Sequence, residues 1–321
     1  LISIISDSIL LYSQNYLDYL SGQFFLGAAA GIYWPSVELA IPLNCNNQIK
    51  SNEAYALARG ADAIGVTLGV LIGTIGTYLE FTRIIYLIDI ICMVYILNIL
   101  TVTIKESKDN EHIKAQFREV KTDLESGKSS NIKWIFKLFP LLLLTIFVTG
   151  IMNLLQSILP LDLANGGITR PPITEETVAK FVTFKLVLIA ILQWPIGYIV
   201  RNKNSSFKFR LCLILLLIGF ILLSISNFIV NGYLLVLLAF IPITIALCIF
   251  LPSASDAIIK SSPIKYQGSS IALYSQCFGI SALTIPWIAG KSIDYYETAF
   301  QVWLVISFLC IFLIPICKRI K

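Results

Sequence analysis

The sequence predicts an all-α polytopic membrane protein, and three observations predict it. Hydrophobic residues make up 57% of the 321 and charged residues only 13%, with a mean hydropathy of +0.81, far more apolar than a soluble domain of this length. The apolar residues gather into runs that approach the roughly 20 needed for a helix to cross a bilayer. Lys and Arg lie mostly between the runs, and unevenly on the two sides that the runs define.

Taken in order, the chain opens in an apolar run that ends near Ser13. It is too short to span and lacks the charged start of a signal peptide, so it reads as the end of a helix whose beginning is missing. Full spans follow at about 17–42, 54–77, 82–104, 134–160, 176–200, 209–228, 231–252, 268–290 and 297–317. Residues 1–104 form a truncated N-terminal bundle, 105–132 a cytoplasmic linker and 133–321 a C-terminal six-helix bundle. The linker mixes acids and bases from Lys105 to Glu125 and then loosens at Ser126-Gly127-Lys128-Ser129-Ser130, the composition of a solvated segment.

With the linker placed in the cytoplasm, eighteen of the Lys and Arg fall on that side, including Lys50, Arg201, Lys208, Lys260 and the terminal Lys318, Arg319 and Lys321. Only Arg83, Arg170, Lys180 and Lys291 fall on the other. The positive-inside rule therefore puts the C-terminus in the cytoplasm.

The third span carries Gly65, Gly69, Gly73 and Gly76 at intervals of three or four, which places them on one helical face. Small residues on one face let a neighbouring backbone approach, so they mark a helix interface, and Gly69→Leu is expected to disrupt it. Tyr33-Trp34-Pro35-Ser36 before Ala40-Ile41 is echoed by Phe250-Leu251-Pro252-Ser253 before Ala257-Ile258. That repeat implies two bundles on one plan, an organisation common in transporters with a central site.

Several chemistries are excluded. The seven cysteines form no Cys-x-x-Cys pair, and the one histidine, His112, sits in the linker, so neither a metal site nor a disulfide framework is indicated. No Gly-x-x-x-x-Gly-Lys-Ser/Thr loop is present, and no His, Asp or Glu cluster at a helix end suggests an enzyme. No cofactor and no nucleic-acid partner is expected.

These motifs resemble the major facilitator superfamily of secondary transporters. Gln23-Phe24-Phe25-Leu26-Gly27-Ala28-Ala29-Ala30-Gly31 with Pro35 is similar to the family's fourth-helix pattern, with Gln23 at a position that is often arginine. Gly65, Gly69 and Gly73 match the fifth-helix glycines of proton-coupled drug antiporters, but Val70 and Thr74 replace the proline and last glycine. Trp194-Pro195-Ile196-Gly197-Tyr198-Ile199-Val200-Arg201 is similar to the eighth-helix loop motif, with Arg201 at its aspartate. The resemblance implies a two-bundle fold containing the tail of helix three and helices four to twelve. It further implies a monomer in the plasma (inner) membrane among lipid, and a small-molecule substrate with protons as coupling ion. Its partial antiporter pattern puts efflux of amphipathic, drug-like compounds first and uptake of a small metabolite second; a non-transporting sensor or gene fragment is the third reading.

Ionisable residues inside a membrane are costly, so each is a functional candidate. Arg59 and Asp62 are three apart and can pair with each other and with Glu38 as a gate at the cytoplasmic ends, and Asp256 occupies the echoed position. Lys185 either attracts an anionic substrate or pairs with a carboxylate, and Asp89 is the candidate proton carrier. Asn153 and Gln156 share a face, and with Gln193, Trp194, Tyr274 and Gln276 they form the candidate cavity wall; for Asn153 and Gln156 the bland alternative is an interhelical hydrogen bond. Pro35 and Pro252 mark bends that can serve as gates.

Overall fold

The computed structural model describes residues 1–43, 45, 51–107 and 133–320. His112, Lys50 and all but the start of the 105–132 linker lie outside the described residues. Among those described there are ten α-helices: α1 Ile2–Tyr12, α2 Tyr16–Leu43, α3 Ser51–Tyr78, α4 Ile84–Ser107, α5 Lys133–Asn165, α6 Glu175–Val200, α7 Ser205–Ser226, α8 Tyr233–Ser261, α9 Gln267–Tyr296 and α10 Phe300–Leu313. Short 3₁₀ turns occupy Ile264–Tyr266 and Ile314–Arg319. Among the described residues, nine helical stretches are long and apolar enough to cross a membrane, and α1 is not.

All nine expected spans are therefore present, with three ends extended by five residues or more: α9 continues beyond 290 to Tyr296, and two others run past a proline. α5 continues beyond residue 160 to Asn165, and α8 beyond 252 to Ser261. Both sequence boundaries stop at a proline, Pro160 and Pro252, and both prolines sit inside their helices. A proline removes one main-chain donor but need not end a membrane helix when a neighbour satisfies the freed carbonyl.

The helices cluster into two units. The described residues of Leu1–Leu43, Leu68–Asn131 and Ile264–Gly268 form the first, and those of Asn44–Thr67, Ile132–Pro263 and Ser269–Lys321 the second. The first half of α3 thus groups with the C-terminal helices.

In the first unit, α1 packs against α2 and α4. Ser6 donates to the carbonyl of Gly22 at 2.8 Å, and a Cβ at Gly22 would meet the Leu10 side chain at 2.6 Å, so a larger residue here would have to displace that leucine. Arg83 donates to the carbonyls of Leu11 and Ser13 at 3.1 and 2.6 Å, filling acceptors that the end of α1 leaves open.

The second unit is built around α8, which packs against α5, α6 and α7. Every residue of α8 from Ala246 to Ile259 is buried. A helix that is apolar nearly all round must be enclosed, and ring contacts such as Phe209 with Phe250 at 5.6 Å help enclose this one. Small residues allow the close approaches: Gly197 on α6 lies directly against Ala56 on α3, and Gly219 on α7 against Ile243 on α8.

The glycine stripe on α3 behaves differently from the expectation. Nothing among the described residues lies within 4 Å of a Cβ placed at Gly65, Gly69 or Gly73, while at Gly76 a Cβ would meet Ile84. Periodicity identifies a shared face, but a face says nothing about what covers it. Gly69→Leu is accordingly expected to change stability by no more than about 0.5 kcal/mol, as for other uncrowded sites. Gly197→Leu should cost about 1–3 kcal/mol by overpacking against Ala56. Thermal unfolding of the two variants in detergent checks this contrast, and equal melting shifts would contradict it.

Candidate functional site

Three consecutive residues at the start of α3 are tied to three different helices of the second unit. Ser51 Oγ donates to Asp256 Oδ1 on α8. Asn52 Oδ1 accepts from Lys208 Nζ on α7 at 2.7 Å, and both residues are buried. Glu53 pairs with Arg201, at the end of α6, at 2.9 Å.

Local sequence explains why these groups meet. The N-terminal turn of a helix presents side chains and unpaired N–H groups together and favours nearby negative charge, which Asp256 supplies. Asp256 also pairs with Lys260 at 2.6 Å, one turn on. The Arg201 guanidinium lies over the Tyr198 ring at 3.8 Å, and that ring stands against Trp194 at 5.9 Å. This cation–π stack holds Arg201 toward Glu53.

Of the expected gate residues, Arg59 and Asp62 pair with each other at 3.8 Å, while Glu38 is buried on α2 in the first unit. Asp256 belongs to the α3 cluster, which the sequence alone does not assemble. Its other members, Glu53, Arg201, Asn52 and Lys208, look like ordinary loop-edge residues in a sequence. The available signal is that polar residues precede α3 and basic ones follow α6.

The expected cavity residues divide. Asn153 Nδ2 donates to Ser281 Oγ on α9 at 3.2 Å, and Thr149 reaches the same hydroxyl at 2.9 Å, the interhelical bond of the bland alternative. Gln156 and Gln276 are exposed, as is Trp194. Tyr274 is buried, with its hydroxyl 3.3 Å from Ser255 Oγ.

Gln193 is enclosed rather than set on an open wall. It is 1% exposed, and its Nε2 donates to the carbonyl of Cys248 at 3.2 Å. Cys248 is four residues before Pro252, so its carbonyl is the one that the proline leaves without an N–H partner. Gln193 supplies the missing donor, and α8 continues.

Lys185 is also buried, with Nζ donating to the carbonyl of Leu155 on α5 at 3.1 Å. Among the described residues it has no ion-pair partner, so the expected alternative of a carboxylate pair is not what holds it. Lys185 and Gln193, eight residues apart, point to the same side of α6, each bonded to a main-chain carbonyl of a neighbouring helix.

A second buried polar network, around Arg170, has no counterpart among the sequence expectations. Arg170, in the α5–α6 loop, is 1% exposed and pairs with Asp162 at 2.9 Å. It also donates to Ser226 Oγ at 2.8 Å and to the Asp162 carbonyl at 2.9 Å. Trp303 on α10 donates to Asp162 Oδ2 at 3.0 Å. Gly166, at φ +84°, turns the loop, and the Gly167 N–H closes it by donating to the Arg170 carbonyl at 2.9 Å. This network braces α5, α7 and α10.

Among the described residues, nine helical stretches have the length and composition of membrane spans and form the frame of a polytopic membrane protein. The sequence matches the Major Facilitator Superfamily over residues 1–286, and the chain belongs to that family. The structure is similar to a variant of the E. coli fucose:proton symporter FucP, with a TM-score of 0.66 and 13% identity over 100% of this chain and 82% of that one. A second FucP structure, in the outward conformation, gives 0.66 and 14% over 100% and 81%. A POT family transporter in complex with 5-aminolevulinic acid gives 0.60 and 15% over 98% and 78%. The sequence has no match among curated proteins. The chain is thus an integral membrane protein of a secondary transporter family and not an enzyme.

Proposed function

We propose that the protein moves a small polar solute with protons by alternating access, and that the Ser51–Glu53 cluster is its cytoplasmic latch. The carrying observation is that three successive residues of one helix end are bonded to α6, α7 and α8. The positive-inside rule assigns this end, rich in Lys and Arg, to the cytoplasm. The partly exposed Glu53–Arg201 pair contributes about 1 kcal/mol or less and suits a reversible step, while the buried bond from Lys208 to Asn52 is the stronger member at about 1.5–3 kcal/mol. The C-terminus lies on the same side in this reading, and the protein acts as a monomer in the plasma (inner) membrane.

Proton-coupled uptake is supported by the likeness to FucP, a fucose:proton symporter. Efflux of amphipathic compounds is the second reading, favoured by the Gly65, Gly69 and Gly73 pattern. Proteoliposomes containing a pH-sensitive dye discriminate the two. External fucose or another neutral sugar should acidify the lumen under uptake, whereas lipophilic cations should drive proton movement under efflux. If neither class moves protons, the coupling reading fails.

The latch has its own test. In a background without native cysteines, Ala257→Cys places a thiol on the buried inner end of α8. Adding Arg201→Ala and Lys208→Ala should raise its labelling rate by a membrane-impermeant maleimide several-fold. An unchanged rate would remove the latch from the mechanism.

A further inference from the structure

The first unit buries a carboxyl that faces another carboxyl. Asp7 on α1 is 2% exposed, and the half-buried Asp89 on α4 lies within side-chain hydrogen-bonding range of it. No N–H or O–H donor among the described residues reaches Asp7 Oδ2. The neighbouring elements are α2 and α4. They contribute Tyr19 and Tyr86 to the surroundings, with Arg83 just before α4. The Arg83 guanidinium is occupied by the carbonyls of Leu11 and Ser13.

This arrangement lacks one particle. Two ionised carboxylates at hydrogen-bonding range repel, and where one of them is buried a shared proton relieves the repulsion. Two unprotonated groups are also both acceptors, so neither can satisfy the other. A single proton between them converts one into a donor and removes half of the charge. Among the described residues, no third His, Cys, Asp or Glu joins the pair.

We propose that Asp7 and Asp89 form a proton-binding site that holds one proton between the two carboxyls. The inference rests on the proton-coupled reading above for its use in transport, and it gives Asp89, already the candidate proton carrier, a partner on a different helix. Loading adds one proton to a pair of anions. Unloading returns that proton to water and leaves two adjacent negative charges, which must then be separated or hydrated. Proton occupancy is thereby linked to the packing of α1 against α4.

Infrared difference spectroscopy of the full chain in proteoliposomes, titrated with acid and base, tests the site. The wild type should show a protonated-carboxyl stretch at neutral pH that shifts in heavy water and disappears on alkalinisation. Asp7→Asn and Asp89→Asn should each abolish it, because the amide N–H then satisfies the remaining carboxylate. The exposed Glu176→Gln should leave it unchanged. Persistence of the signal in both Asn variants, or its absence from the wild type at neutral pH, would overturn the proposal, as would its loss when sodium replaces potassium at constant pH. Loss in both variants, combined with no solute-driven acidification of wild-type vesicles, supports the proton site and instead overturns the coupling reading.

Discussion

Replacing Arg170 by leucine should destabilise the protein by about 3–5 kcal/mol, the cost of leaving a buried partner charge uncompensated. Arg170 and Asp162 are both nearly inaccessible, at 1% and 3% exposure, so water cannot take over when one is removed. Asp162 would keep its bond from Trp303 Nε1 but lose both the ion pair and the Arg170 contact to its carbonyl. The paired replacement Arg170→Leu with Asp162→Leu should recover much of the loss, since removing both members of a buried pair is often close to neutral. Trp303 then loses its acceptor, so recovery stays incomplete by about 1 kcal/mol. Thermal unfolding of the single and double variants in detergent measures the difference. Additive losses would show that the network braces nothing jointly.

What the sequence could reveal follows from the kind of constraint each feature obeys. The nine spans were legible because bilayer thickness fixes their length and the backbone must satisfy its own hydrogen bonds there. Asn153 was legible as a polar group needing a partner, and Ser281 supplies one. Arg170 was not, because a basic residue in a loop ordinarily meets water; only Asp162 near the end of an apolar helix hinted at a buried counterpart. The Gly65, Gly69 and Gly73 face could be read from spacing alone, but its open surroundings depend on which helices lie beside it. The Ser51–Glu53 cluster joins residues 148 to 205 positions apart, and no local pattern records such a meeting.

Gln193 and Pro252 should be thermodynamically coupled, and a double-mutant cycle should reveal it. Gln193→Leu leaves the Cys248 carbonyl without the side-chain donor that now reaches it, at a cost of about 1–3 kcal/mol. Pro252→Ala restores an N–H four residues after Cys248, so the helix can satisfy that carbonyl itself. In the Pro252→Ala background the same Gln193→Leu change should cost little beyond the lost side-chain packing. The interaction term should therefore fall within the roughly 0.5–3 kcal/mol typical of contacting residues. If Gln193→Leu costs the same in both backgrounds, the glutamine is not serving the proline and its donor must answer another need. If the costs differ as expected, the proline in α8 is tolerated because α6 supplies its missing bond, and movement of α6 away from Cys248 would give the transport cycle a direct means of changing the conformation of the enclosed helix.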